Sequence, residues 1–113
     1  MWTHRLFGAL LVAAFVAVIS AGAAIAAEDH RAVAIQHAQE GVASAKKGDA
    51  KAATEHLELA KTHAEAAEKG KANPHLEAAI KSLDNAIAHG KMGHASMTVG
   101  PAEEAVTHLN SAQ

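Results

Sequence analysis

The sequence contains no cysteine and no tyrosine, and only one tryptophan, two phenylalanines and two prolines in 113 residues. Without cysteine there is no disulfide scaffold, no thiol nucleophile, no thiolate metal site and no covalently attached c-type haem. No H-E-x-x-H run is present to mark a zinc protease. Glu-x-x-His is missing as well, which excludes the di-iron carboxylate bundle. No glycine-rich phosphate loop occurs, and no nucleophile stands beside a base, so the chain is expected not to be an enzyme.

What is present begins with a leader. Met1 to Arg5 forms a short n-region, Leu6 to Ile19 is apolar apart from Gly8, and Ala24-Ile25-Ala26 fits the A-x-A cleavage pattern. Residues 1–26 are therefore expected to be a secretory signal peptide. The opposing reading is an uncleaved anchor, since the apolar stretch is nearly long enough to span a bilayer. Cleavage would leave residues 27–113 as an exported protein, periplasmic in a bacterium with two membranes and free of the membrane. Trp2, Phe7 and Phe15 leave with the leader, whereas eight of the nine histidines stay. Of the ten Lys+Arg only Arg5 is lost, so nine remain against twelve Asp+Glu, a net charge near −3 with neutral histidine. That balance argues against a nucleic-acid partner, which requires a basic face.

The mature chain reads as four helices. Asp29 to Lys47 is the first, with Val33, Ile35, Ala38, Val42 and Ala45 as apolar positions. Gly48-Asp49 ends it and caps the next, Ala50 to Lys69. Asn73-Pro74 starts the third, which runs to about His89, because asparagine suits the N-cap and proline the first helical position. Gly100-Pro101 predicts a kink or restart in the fourth, with Val106 and Leu109 in regular helix and Ala95 to Val99 in a less regular helical stretch before it. Alanine supplies most of the remaining apolar positions. It has the best helix propensity but buries little area, so close packing and modest stability are expected.

Shifting the sequence by 45 residues aligns His30 with His75, Ala34-Ile35 with Ala79-Ile80, Gly48 with Gly93 and Thr62-His63 with Thr107-His108. Across the 35 ungapped pairs from His30/His75 to Ala64/Leu109, 11 are identical. The mature protein is thus expected to be a duplicated helical hairpin, all-α, forming an up-down-up-down four-helix bundle.

The histidines follow the repeat. His30 and His37, and His56 and His63, lie seven residues apart, about two helical turns, so each pair shares a stripe. Together with His75, His89, His94 and His108 they all occupy slots related by the 45-residue shift. Imidazole is the commonest side-chain ligand for copper, zinc and nickel. Counted from Gly48, His37 falls at a height between His56 and His63, and His30 near His63; His75 falls near His108 in the same way. Glu40, three residues after His37, and Glu104, four before His108, share faces with those histidines and are candidate carboxylate ligands. His89 and His94 flank the second glycine turn. Met92 and Met97 are soft donors suited to Cu⁺, with core or turn filling as the plainer reading. The candidate partners are divalent ions, Cu²⁺ first and Ni²⁺ or Zn²⁺ behind it, bound by a monomer. The alternative is an exported structural or interaction bundle in which the histidine stripe has no metal role. An envelope chaperone for apolar segments is a minor third reading, opposed by the thin alanine face.

The segments IQHAQEGVASAKKGD, EHLELAKTHAEAA and LDNAIAHGKMGH carry a resemblance. They are similar to the small metal-binding proteins of the bacterial periplasm, histidine-rich four-helix bundles that bind copper and other divalent metals. The resemblance covers essentially the whole mature chain. It implies that His30, His37, His56, His63, His75, His89, His94 and His108 occupy family histidine slots, with a role in metal storage, buffering or tolerance. Ser44, Ser82, Asp49 and Pro101 depart from the pattern, standing where the repeat has room for further histidine.

Overall fold

The computed structural model describes residues 29–113. The leader expected over residues 1–26 lies outside them. Four helices fill the described chain: α1 His30–Lys46, α2 Ala50–Gly70, α3 Pro74–Lys91 and α4 Ala95–Ser111. No described helix is long and apolar enough to cross a membrane. Helices consecutive in the chain pack on one another, α1 also packs on α4, and the diagonal α2–α4 contact is slight. This is a four-helix bundle. Cross-helix contacts run in the antiparallel sense: His30 meets His63, Lys91 meets Glu58, and Arg31 Nη1 donates to the Leu109 carbonyl at 2.8 Å.

Local chemistry sets the helix ends. Asp29 and Asp49 accept from the amides of Ala32 and Ala52, and Asn73 accepts from the His75 amide ahead of Pro74 at the first turn. Each satisfies an amide that has no intrahelical partner. Gly48 (φ 85°) and Gly93 (φ 78°) both take the left-handed conformation that closes a tight turn. These glycines are 45 residues apart, and the turns share their closing bonds: Gly48 and Gly93 amides donate to Ala45 and Gly90, Asp49 and His94 amides to Ser44 and His89. The caps differ. His94 starts α4 without a side-chain cap hydrogen bond. His94→Asp is therefore expected to stabilise the protein by about 1 kcal/mol, measured by urea denaturation followed in the far ultraviolet.

The bundle axis is lined by small residues. Ala34, Ala38, Ala53, Ala60, Ala64, Ala79, Ala86, Ala102 and Ala105 are fully buried, with Leu57, Leu83 and Leu109 as the large side chains among them. The buried stripe of α1 is Ala34, Ala38, Gly41 and Ala45; Ile35 and Val42 pack at its edge, and Val33 is only half-buried. The bulkier residues expected to lead that face are displaced sideways because helices at this separation admit only small groups between their axes. A Cβ on Gly41 would sit 2.6 Å from Leu57 Cδ2, and one on Gly90 would overlap Thr54 Oγ1. Gly41 is thus a site of close helix approach. Leu59, Met92 and Met97 are exposed, so neither methionine takes the core-filling role open to it from sequence.

Of the kink or restart expected at Gly100-Pro101, the restart does not occur: α4 is continuous from Ala95 with Pro101 inside it. Proline removes one amide donor, but Met97, four residues earlier, is exposed, so water can reach its carbonyl. Burial of Thr98, Ala102, Ala105 and Leu109 on both sides of the proline holds the helix together. The buried threonines are satisfied, with the Thr54 and Thr98 hydroxyls donating one turn back to the Ala50 and His94 carbonyls. On the α2–α3 face Lys61 Nζ lies 2.6 Å from Asp84 Oδ1, and that hydrogen-bonded carboxylate holds the ammonium pKa above its ordinary value.

Candidate metal centre

The α1–α2 hairpin brings four histidines into one ladder. Both helices are alanine-rich and the Gly48-Asp49 turn between them is short, so residues equidistant from Gly48 lie side by side. Glu40 and His56 are each eight residues from that glycine. The rungs alternate between helices: His56 on α2, His37 on α1, His63 on α2 and His30 on α1. Ring centroids are 5.9 Å apart for His37 and His56, 6.1 Å for His37 and His63, and 5.1 Å for His30 and His63. The Nδ1 atoms of His30 and His63 approach to 2.9 Å. One of these nitrogens must carry a proton and the other a lone pair.

Glu40 joins the ladder at its turn-proximal end. Its Oε1 lies 3.0 Å from His37 Nδ1 and 3.2 Å from His56 Nδ1. His37 makes a hydrogen bond with it. His56 Nδ1 is buried and close, yet its alignment is too poor for a hydrogen bond. Among the described residues, His37, Glu40 and His56 are the group of three histidine or acidic side chains whose ligand atoms all lie within 4.8 Å of one another. All three are half-buried or partly exposed, at 24% for His37, 42% for Glu40 and 36% for His56, so an ion can reach them from solvent. Two ring nitrogens and a carboxylate oxygen converging on one point are a donor set for a borderline divalent cation.

The α3–α4 hairpin is sparser. His75 and His108 occupy the positions of His30 and His63, with Nδ1 atoms 3.4 Å apart and ring centroids 5.6 Å apart. Where α1 and α2 carry His37, Glu40 and His56, the corresponding residues are Ser82, Asn85 and Pro101. Ser82 Oγ donates to Glu104 Oε1 at 3.0 Å, so that carboxylate bonds across to α3. His89 and His94 sit at the second glycine turn with ring centroids 6.5 Å apart, and His89 Nδ1 is buried without a hydrogen-bond partner. The eight histidines thus group as a ladder of four, a pair at His75 and His108, and a pair at the turn.

The double engagement of Glu40 was not drawn from sequence, where only its spacing to His37 stood out. The available signal was the count from Gly48, which puts Glu40 level with His56. A family model described as small metal-binding protein matches residues 6–112. No curated protein sequence matches the chain.

Proposed function

The chain belongs to the small metal-binding protein family, and from that premise we propose that it takes up divalent metal as cargo, Cu²⁺ ahead of Ni²⁺ and Zn²⁺. The role is buffering, storage or tolerance in the periplasm, by an exported monomer without enzymatic activity. The observation that carries this reading is the convergence of His37, Glu40 and His56 on one point. Neutral imidazoles supply nitrogen donors, Glu40 supplies charge, and water completes the coordination shell. Copper is favoured because Cu²⁺ heads the order of affinities for nitrogen and oxygen donors among divalent first-row metals. His30 with His63 and His75 with His108 add pairs that bind more weakly, each having two nitrogens and no carboxylate in contact. The 45-residue offset behind the two pairs fits a duplication in which one copy kept the fuller donor set.

The test is a Cu²⁺ titration of the metal-free protein at neutral pH, with bound metal counted after gel filtration. Protein should be quantified by amino-acid analysis, because the described chain lacks tryptophan and tyrosine. More than one ion retained per chain, removable by a chelator, is the expected result. Retention should fall between neutral and mildly acidic pH, since protons compete for the same ring nitrogens. Failure to retain copper at neutral pH would sink the reading, and retention indifferent to pH would exclude imidazole as the ligand.

A further inference from the structure

The two glycine turns share one backbone but not one chemistry. The first places Ser44, Lys47, Asp49 and Ala52 where the second places His89, Met92, His94 and Met97. All four positions change together, and each change introduces an imidazole or a thioether. The changes bring no ordinary structural advantage. Asp49 caps α2 with its side chain, whereas His94 makes no cap hydrogen bond. Met92 and Met97 are 59% and 52% exposed, so neither fills the core.

The backbone ties the four residues into one knot. The amides of Met92 and His94 both donate to the His89 carbonyl, at 3.1 and 3.0 Å, and the Met97 amide donates to the His94 carbonyl at 3.2 Å. The rings of His89 and His94 are 6.5 Å apart, and His89 Nδ1 is buried with no hydrogen-bond partner. A buried polar nitrogen left unpartnered is costly unless something occupies it. The one cation inside the turn, Lys91, is drawn aside to Glu58 on α2 at 3.2 Å. No carboxylate belongs to this set, in contrast to the Glu40 cluster.

We propose that His89, Met92, His94 and Met97 form a separate site for a soft monovalent metal ion, Cu⁺ or Ag⁺, at the α3–α4 end of the bundle. Thioether sulfur is a poor donor to hard or borderline cations and a good one to a soft ion, and imidazole serves both. The exposed methionines have enough freedom to swing onto an ion held by the two imidazoles. This site uses other residues and another class of ion than the Glu40 cluster, so either can exist without the other.

The probe is Ag⁺ in chloride-free buffer, added to protein carrying ¹³C-methyl methionine. One equivalent should move the ε-methyl resonances of Met92 and Met97 together. Replacing both by leucine should weaken Ag⁺ binding at least tenfold while Cu²⁺ uptake stays unchanged. Leucine is a good helix former and the positions are exposed, so the variant should fold; the methyl shifts in the unaltered protein do not depend on it. Ag⁺ binding that leaves both methyl resonances in place, or undiminished binding by the leucine variant, would overturn the proposal. A chain that retains no Cu²⁺ but shows the methyl shifts would overturn the Cu²⁺ reading alone.

Discussion

Replacing His37 and His56 together by alanine is expected to lower the affinity for the first Cu²⁺ ion at least about 100-fold. Loss of groups that merely support metal ligands costs about 10–100-fold, and here two ligands disappear from a set of three. Glu40 would remain with no ring nitrogen within reach except through movement of His63. The same change at His75 and His108 is expected to leave first-ion affinity nearly intact, because that pair has no carboxylate partner in contact. Both pairs are half-buried or exposed, and alanine favours helix over histidine. Loss of fold therefore does not confound the comparison. Competition with a chelator of known affinity reads the outcome. Equal effects at the two pairs would show that the Glu40 cluster has no special place.

The second large effect concerns stability. Leu57→Ala is expected to destabilise the protein by about 3 kcal/mol, within the usual range for a buried leucine. Leu57 is fully buried and is one of few large side chains along an axis otherwise made of methyl groups. Gly41→Ala alone is also expected to destabilise. It gains about 1 kcal/mol of helix propensity, but the new methyl meets Leu57 Cδ2 at 2.6 Å and Cγ at 2.7 Å. Overpacking of this kind costs about 1–3 kcal/mol. In the double variant the obstructing side chain is gone, so Gly41→Ala should become stabilising. The two effects are then non-additive by about 1–3 kcal/mol, the overpacking that the double variant relieves and the expected sign of direct contact. Urea denaturation of the four proteins measures the cycle, and additive effects would mean that α1 and α2 do not meet at this point.

The helix ends and turns were legible in the sequence because their causes are local. Gly48-Asp49 and Asn73-Pro74 each bring a backbone conformation and a capping oxygen in adjacent residues. The pairings of His30 with His63 and His75 with His108 were legible too, since a short turn converts distance along the chain into height along the bundle. The facing residues of α1 were harder. Hydropathy favours Val33 and Val42 over Ala34 and Gly41, whereas close helix packing favours the reverse, and only the neighbouring helix decides between them. Pro101 misled for a related reason. Its local preference is to break a helix, but residues on either side of it are anchored in a core made elsewhere in the chain. Glu40 carried two partners because α2 places His56 level with it, a tertiary fact that spacing within α1 does not contain.

The alanine axis also determines how the binding positions communicate. Energetic coupling between distant sites needs an intervening element with two discrete arrangements that both sites can bias. A buried methyl has one arrangement, and alanine has no rotamers to redistribute. Few core side chains have rotamers to redistribute, and the histidines, half-buried or exposed along the hairpins, turn without disturbing that core. An ion captured between α1 and α2 therefore has little through which to alter the α3–α4 side of the bundle. On the proposed reading the hairpins should fill independently, with occupancy expected to rise gradually over a wide span of free ion concentration instead of switching at one threshold.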